Sequence, residues 1–212
     1  EHEAGAIMSA IYESYITGDN ALSPAYADQK ICQTFTPQVT HKLTRWDLLI
    51  SKVGTITGTA YIRIYATAAG VPTGAVLSEG SFDPSTLVTY PTTEWKQVTI
   101  SPIVLTAGVV YAAVLEYTGG DASNYAGWWR DSSSATYANG TYVVWLAGGS
   151  SWTILSTQDL LFKDWGDTVY QVYVDWNNDG DFSDANEDIT DDVLMPIRWK
   201  RGRDEELGYT SP

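Results

Sequence analysis

Short β-type runs separated by turn residues are the feature that most limits the folds open to this chain of 212 residues. Nine runs between positions 30 and 166 are rich in Val, Ile, Thr, Tyr and Trp, and Gly, Pro, Asn or Asp bounds them. Apolar and polar residues alternate in 61–65 and 95–100, which places one face of each strand in a core and the other in solvent. Because no long helical pattern lies between the runs, the sequence predicts two packed antiparallel sheets.

The connections between these runs have the chemistry of turns. AGVPTGA, TGGDASN and ANGTY carry Gly, Pro or Asn where the chain must reverse, and Asn139-Gly140 is a typical hairpin dipeptide. With Thr141 it also has the form of an N-glycosylation sequon, although the hairpin explains it without a glycan. The predicted strands are 30–37, 42–53, 58–67, 75–82, 94–101, 109–118, 125–132, 141–147 and 160–166.

Three segments follow from this pattern. Residues 1–29 are weakly patterned and predict an N-terminal arm or a short helix, with an ordinary packed leader as the alternative. Residues 30–166 form the predicted β-sandwich. Residues 167–212 form a predicted small β segment that carries an acidic loop and a basic tail.

Charge and composition exclude several classes of partner. The formal net charge is −14 with only 12 Lys and Arg, so a nucleic-acid partner is not expected. No run of eighteen or more apolar residues occurs, so membrane insertion is not expected either. Acidic proteins of this kind are common on particles and outside cells, where charge keeps them soluble. The single cysteine, Cys32, lies in a β-type run and is predicted to be a buried thiol.

The acidic loop DWNNDGDFSDANED, residues 175–188, predicts a calcium site. Its first six positions follow D-x-N-x-D-G, the start of a calcium loop, and a divalent cation would remove the repulsion among the crowded carboxylates. The EF-hand glutamate is replaced by Asn186, and the preceding residues are β-type rather than helical. A solvated acidic turn is the alternative. The predicted ligands are Asp175, Asn177, Asp179, Asp181 through its carbonyl, Asp184, Glu187 and Asp188.

Adjacent tryptophans suggest a sugar-binding platform. Trp128 and Trp129 follow each other in a predicted strand, so one ring faces away from the core unless a second layer covers it. An exposed ring beside Arg130, Asp131 and Tyr137 would stack on a sugar and hydrogen-bond its hydroxyls. The alternative places all these rings in the core or in a subunit interface. Trp145 and Trp152 are predicted to fill the sandwich.

Catalytic patterns are absent from the sequence, so no enzymatic activity is predicted. The histidines are His2 and His41, and His41 is predicted to face solvent. Neither belongs to a Ser/His/Asp order or an H-E-x-x-H motif, and G-x-S-x-G does not occur. A glycosidase-type carboxylate pair stays as the alternative, although 26 Asp and Glu leave the choice of pair open.

A resemblance covers residues 25–166. The runs CQTFTP, YIRIYATAAGVPTGAVLSEGSF, EWKQVTISPIVLTAGVVYAAVLEY, WWRDSSSATYANGTYVVWLAGGSSW and DLLFKDWG resemble, in this order, a jelly-roll module of phage virion proteins and secreted bacterial proteins. The resemblance implies a non-catalytic adhesive or decorating domain, a class often considered to bind carbohydrate.

A second resemblance covers residues 170–212. D-W-x-x-D-G-D-F followed by R-G-R-D-x-E-L is similar to the opening of a module in phage minor tail proteins. The basic residues of this tract would pair with an acidic patch on a neighbouring subunit, and a solvated strand end is the alternative. These residues are Arg198, Lys200, Arg201 and Arg203.

Together these features predict an all-β fold: an antiparallel jelly-roll sandwich followed by a small β segment with a calcium-type loop. The expected function is that of a non-enzymatic structural and binding protein of a phage-like particle, tail-associated or decorating. Expected partners are further copies or other virion proteins, with a cell-surface glycan as a candidate ligand. The alternative is a secreted or cell-surface carbohydrate-binding or adhesin module, or an extracellular filament subunit. The expected location is the virion or the extracellular space.

Overall fold

Two antiparallel sheets face each other in the computed structural model, which describes residues 9–169. Among these residues the one helical element is a 3₁₀ turn at Pro84–Thr86, and the prediction of an all-β sandwich is confirmed. The strands are β1 (Ala10–Tyr15), β2 (Ala21–Ala25), β3 (Lys30–Phe35), β4 (His41–Val53), β5 (Ala60–Ala68), β6 (Val71–Phe82), β7 (Glu94–Leu105), β8 (Tyr111–Tyr117), β9 (Tyr125–Asp131), β10 (Tyr142–Trp145), β11 (Trp152–Leu155), β12 (Asp159–Leu160) and β13 (Phe162–Thr168).

The strand order is that of a jelly roll. Strands β2 to β9 form two four-stranded sheets, β2-β9-β4-β7 and β3-β8-β5-β6, and the chain passes repeatedly from one sheet to the other. The first sheet gains β1, β12 and β13 and has seven strands. The second gains β10 and β11 at one edge and has six strands.

The last strands fill a fork in the seven-stranded sheet. Strand β4 pairs with β9 only over Ile50 to Val53, and the two strands separate beyond that point. The chain from β12 to β13 enters the gap, where the Leu161 N–H donates to the Trp129 carbonyl at 3.0 Å. The Leu161 carbonyl accepts from the Leu49 N–H at 3.2 Å, so one residue joins both sides of the fork. The late strands therefore complete the sheet.

Aromatic side chains from both sheets form the centre of the core. The rings of Trp46 and Phe162 are stacked at 4.8 Å, and Phe35 of the opposite sheet lies 4.9 Å from the Trp46 ring. All three are 0% exposed. Burial of a large apolar side chain contributes about 1.5–3 kcal/mol, so this contact between sheets is a main source of the sandwich's stability.

Strands β6 and β7, edge strands of different sheets, approach each other closely along one side of the sandwich. A Cβ atom added at Gly80 would lie 2.1 Å from the Thr99 carbonyl oxygen, so only glycine permits this approach. The Ser78 hydroxyl donates to the Ser101 carbonyl. The contact covers backbone groups that two open edges would otherwise present to other chains.

All nine predicted strands are present, but the arm or short helix predicted for the N-terminal segment is wrong over the described residues 9–29, which agree with the alternative of a packed leader. Residues 10–15 and 21–25, predicted as part of an arm or short helix, are β1 and β2 of the seven-stranded sheet. Strand β1 pairs with β13, about 150 positions further along the chain, with Ala10 opposite Gly166. Such distant support does not show in a local pattern. The segment predicted from residue 167 begins inside β13, and from residue 170 it lies outside the described residues.

The solvent-facing prediction for His41 is also wrong. His41 is 0% exposed, and its Nε2 lies 3.0 Å from Asp164 Oδ1. A bulge between Leu43 and Arg45 is the reason, because it breaks the alternation along β4. Trp46 faces the core, so strict alternation along β4 would place His41 on the outer face. The bulge turns His41 inwards instead.

His41 and Asp164 form a buried acid–base pair behind β1. The Tyr12 ring stacks on the His41 ring at 4.0 Å, and the buried Glu13 faces the same pair. Burial alone lowers the pKa of His41, but the hydrogen bond and charge of Asp164 raise it above its ordinary value of 6.5. Because the pKa of His41 is higher in the folded than in the unfolded chain, its protonation stabilises the fold below pH 6.5. That contribution is lost as pH rises through the folded-state pKa.

We therefore expect the free energy of unfolding to decrease as pH rises from 6 to 8.5. Asp164→Asn removes the charge that raises the His41 pKa most, so the histidine's contribution to the pH dependence should become smaller. Urea unfolding of both proteins across this range measures the difference. Equal pH dependence in the two proteins would contradict this account of the pair.

Candidate functional site

A cavity of about 650 Å³ lies on the outer face of the six-stranded sheet. Its size falls within the range of about 300–1,000 Å³ that is usual for small-molecule sites. Side chains of β3, β5 and β8 form the floor, the start of β6 forms one wall, and the β10–β11 hairpin forms the other. The lining residues are Asp28, Lys30, Tyr65, Pro72, Thr73, Gly74, Glu116, Trp145, Gly149 and Trp152. We call this cavity the groove.

The first wall exists because the β5–β6 hairpin bends over the sheet. Bulges between Ile64 and Tyr65 and between Tyr65 and Ala66 interrupt the pairing of these strands, and bulges bend a strand. A Cβ atom added at Gly70, in the hairpin turn, would lie 3.4 Å from Cδ1 of Ile154. The tip of the hairpin therefore reaches β11, at the opposite edge of the sheet.

A small apolar cluster lies beneath this hairpin. Tyr65, Val71 and Trp152 cover it from the outer side, and the Cys32 thiol within it confirms the prediction of a buried cysteine. Burial raises the pKa of Cys32 well above its ordinary value of 9.0, so this thiol is unreactive. The cluster consists of Cys32, Ala112, Val114 and Val143, all 0% exposed.

Trp145 and Trp152 form the aromatic wall of the groove. They are directly opposite each other in the β10–β11 pair, and their rings meet edge to face at 5.7 Å. The prediction that they fill the sandwich is wrong, because Val144 is the core residue of β10 and the alternation turns Trp145 outwards. Asp28 fixes the hairpin turn by accepting from the Gly148 N–H at 2.9 Å.

Glu116 is the centre of the floor, and it is only 5% exposed. Its Oε1 accepts from the Tyr65 hydroxyl at 2.9 Å and lies 3.2 Å from the Lys30 ammonium. Its Oε2 accepts from Arg63 Nη1 at 2.7 Å. Desolvation and then the hydrogen bond to Glu116 raise the pKa of Tyr65 to about 12. Both carboxylate oxygens are therefore engaged, and the floor is polar, charged and held in one geometry.

The sequence contained only a partial signal for this floor. The alternation in residues 61–65 places Arg63 and Tyr65 on the face opposite the core, as observed. The run around Glu116 carries no alternation, because all seven residues of β8 are buried. Groove and hairpin cover the outer face of this strand, and that cover comes from residues far away in the chain.

The predicted sugar platform does not form. Trp128 is 0% exposed in the core, and its indole N–H donates to the Leu161 carbonyl at 2.7 Å. Trp129 faces outwards but is only 8% exposed, because Tyr90 stacks on it at 5.8 Å. Its indole N–H donates to the Ser51 hydroxyl at 2.8 Å. A second layer therefore covers the ring that was expected to be free.

The other predicted platform residues also make internal contacts. Arg130 donates to the Ser23 hydroxyl at 2.6 Å, and Asp131 accepts from the Tyr15 hydroxyl at 2.8 Å. The Tyr137 hydroxyl donates to Glu13 at 3.0 Å. These three side chains hold β1 and β2 against the rest of the sandwich and do not assemble into a binding surface.

Asp131 and Asp159 are paired across β9 and β12, and their surroundings shift their pKa values in opposite directions. Burial raises the pKa of Asp159 to about 6, whereas the Ser133 N–H lowers that of Asp131. A split of this kind is typical of acid–base pairs. However, Asp159 is 4% exposed and accepts from Gln33 and from the Tyr137 N–H, so its oxygens are enclosed. This pair has a structural role.

All residues of the metal and assembly predictions lie beyond residue 169. The calcium-loop residues 175–188 and the basic residues of 198–203 lie outside the described residues. Within residues 9–169 no group of three or more His, Cys, Asp or Glu is placed to hold a metal ion. In the same range no helix has the length and apolar character needed to cross a membrane.

No family model matches the chain, and no curated protein is found that matches it.

Replacement of Glu116 by Gln should lower the free energy of unfolding by about 2 kcal/mol, because it leaves Lys30 and Arg63 without their shared anion. A fully buried pair would lose more, but these cationic side chains are 37% and 26% exposed. Glu79→Gln is the matched control. Its carboxylate also binds Arg63 but is 47% exposed, so about 0.5 kcal/mol or less is expected. Chemical denaturation measures both, and equal small effects would contradict a structural role for the Glu116 cluster.

Proposed function

We propose that this chain is a non-catalytic binding module whose groove accepts a saccharide. The observation that carries the proposal is the pairing of two tryptophan rings with a fixed, charged floor in one cavity of about 650 Å³. Sugar rings present apolar C–H faces and polar edges. Stacking on Trp145 or Trp152 suits the faces, and hydrogen bonds to charged floor groups suit the hydroxyls.

The polar groups at the groove can serve both directions of hydrogen bonding. The Lys30 ammonium donates, and its side chain is 37% exposed. The exposed Asp28 carboxylate accepts, with one oxygen already engaged by the Gly148 N–H. Because hydroxyls both donate and accept, such a mixed set suits a sugar better than a purely apolar ligand.

The absence of catalysis is part of the proposal. A general acid or base must have a carboxyl oxygen free to exchange a proton with the substrate. Both oxygens of Glu116 are occupied by Lys30, Tyr65 and Arg63. The Asp131–Asp159 pair is enclosed in the sandwich. These contacts support binding without turnover.

The setting of the module is proposed from the sequence resemblances. They support a place on a phage-like particle, tail-associated or decorating, where an adhesive domain would attach the particle to a surface glycan. A secreted or cell-surface adhesin module is the alternative setting. Calcium bound by residues 175–188 and subunit contacts through residues 198–203 belong to the same proposal.

Trp145→Ala and Trp152→Ala should each abolish retention on a saccharide that the unaltered chain binds, because each removes half of the aromatic wall. Leu146→Ala is the matched control, since Leu146 lies in the same hairpin with 54% exposure and outside the groove. A glycan array followed by affinity electrophoresis measures retention, and thermal unfolding shows that the variants fold. Failure of the unaltered chain to bind any saccharide would contradict the proposal, as would equal binding by all three variants.

A further inference from the structure

A second group of rings and charges lies on the outer face of the opposite, seven-stranded sheet. Its members come from three neighbouring strands, β13, β4 and β7, and follow one another along the same face of the sheet. We call this group the cation–ring stripe. It consists of Arg45, Asp47, Trp95, Lys163 and Trp165.

Arg45 lies over one of the rings. Its guanidinium carbon is 3.9 Å from the centre of the Trp165 ring, and its Nε lies 2.9 Å from Asp47 Oδ1. The Trp165 indole N–H donates to the other oxygen of Asp47 at 2.8 Å. Asp47 is 3% exposed, so its charge is used within the protein and does not reach solvent. The contacts hold Arg45 and Trp165 in position before any ligand arrives.

Lys163 makes the second stack. It is paired with Asp47 across β13 and β4, whereas Trp95 is paired with Leu49 across β4 and β7. Its ammonium nevertheless lies 4.0 Å from the centre of the Trp95 ring, so the lysine side chain crosses β4. Lys163 is partly exposed, as is usual for lysines whose aliphatic stem packs on the protein while the charge faces water.

The accessible charges of the stripe differ in sign from the net charge of the whole chain. The formal net charge is −14, yet the accessible charges of the stripe are the cations Arg45 and Lys163. The neighbouring exposed residues on β7, Gln97 and Thr99, are neutral hydrogen-bonding residues. A cationic, ring-bearing strip on an acidic protein is complementary to an anionic ligand that also has stacking faces.

The stripe is long enough for a polymer. Trp165 is paired with Arg45, and Trp95 is paired with Leu49, which lies further along β4 on the same face. Consecutive residues on one face of a strand are about 7 Å apart, so the two tryptophan positions are separated by about 14 Å along the strand direction. Several sugar units of an extended chain would span this distance.

We propose that the cation–ring stripe binds an anionic polysaccharide, with sugar rings on Trp95 and Trp165 and carboxylate or sulfate groups on Arg45 and Lys163. The site is separate from the groove, which lies on the other sheet. A chain with both sites binds two segments of glycan on its two faces. The proposal does not depend on what the groove binds.

Affinity electrophoresis tests the stripe with three probes: polygalacturonate, which carries carboxylates, dextran sulfate, which carries sulfates, and neutral dextran. We expect retention by at least one of the two anionic gels, no retention by neutral dextran through this face, and weaker retention as salt rises. Lys163→Gln should weaken binding of the anionic probe about tenfold. It does not leave a buried charge without a partner, because Asp47 keeps its contact with Arg45. The two anionic gels show which group the stripe prefers.

Two controls separate the stripe from other effects. Lys96→Gln makes the same change of charge on β7, but the Lys96 ammonium lies near Phe82 and away from the stripe. Trp145→Ala damages the groove alone, so Lys163→Gln is also measured in a Trp145→Ala background. Lys96→Gln should retain the anionic probe as the unaltered chain does, and Lys163→Gln should weaken retention by the same factor in either background. The proposal is overturned by no retention on either anionic gel, by equal loss in Lys96→Gln, or by light scattering that shows a dimer broken by Lys163→Gln.

Discussion

The ion cluster around Glu116 is the interaction on which the candidate site depends. A carboxylate that is 5% exposed is costly to bury unless cations and donors surround it. Lys30, Arg63 and Tyr65 meet this need from β3 and β5, while Glu116 itself belongs to β8. The cluster thereby ties together three adjacent strands at the floor of the groove. A change in register of any of these strands would separate the charges and remove the floor.

The outer faces of the sandwich are thus as organised as its core. The core is built from apolar and aromatic contacts such as Trp46 on Phe162. On one outer face the β5–β6 hairpin bends over an apolar cluster and borders the groove. On the other, Arg45 and Lys163 stack on tryptophans. A jelly roll supplies two broad faces, and this chain places aromatic rings and fixed charges on both.

The fold followed from the sequence wherever local alternation and turns determined it. The nine strands between residues 30 and 166 were predicted because each is a β-type run bounded by turn residues. Strands β1 and β2 were not predicted, because their pairing partners lie more than a hundred positions away. The orientation of His41 failed for another reason: a single bulge in β4 reverses the alternation, and its position is not visible in the sequence.

The candidate site was predicted less well than the fold. Aromatic residues were expected to form an accessible platform, but the tryptophans predicted for it, Trp128 and Trp129, are buried. Trp129 faces outwards as the pattern allows, yet Tyr90, from a distant loop, covers it. Trp145 faces outwards without such a cover and lines the groove. Periodicity identifies the face of a strand, whereas accessibility depends on loops that pack over it. The charge partners of Glu116 were missed for the same reason, since three strands bring them together.

The indole N–H signals of the nine tryptophans measure the central claim most directly. In a chain labelled with ¹⁵N at tryptophan, titration with a soluble neutral oligosaccharide that the chain retains should shift the signals of Trp145 and Trp152. The signals of the buried Trp46 and Trp128 should stay in place. Shifts confined to other tryptophans, or no shift at a saturating concentration, would contradict the assignment of the groove as the binding site.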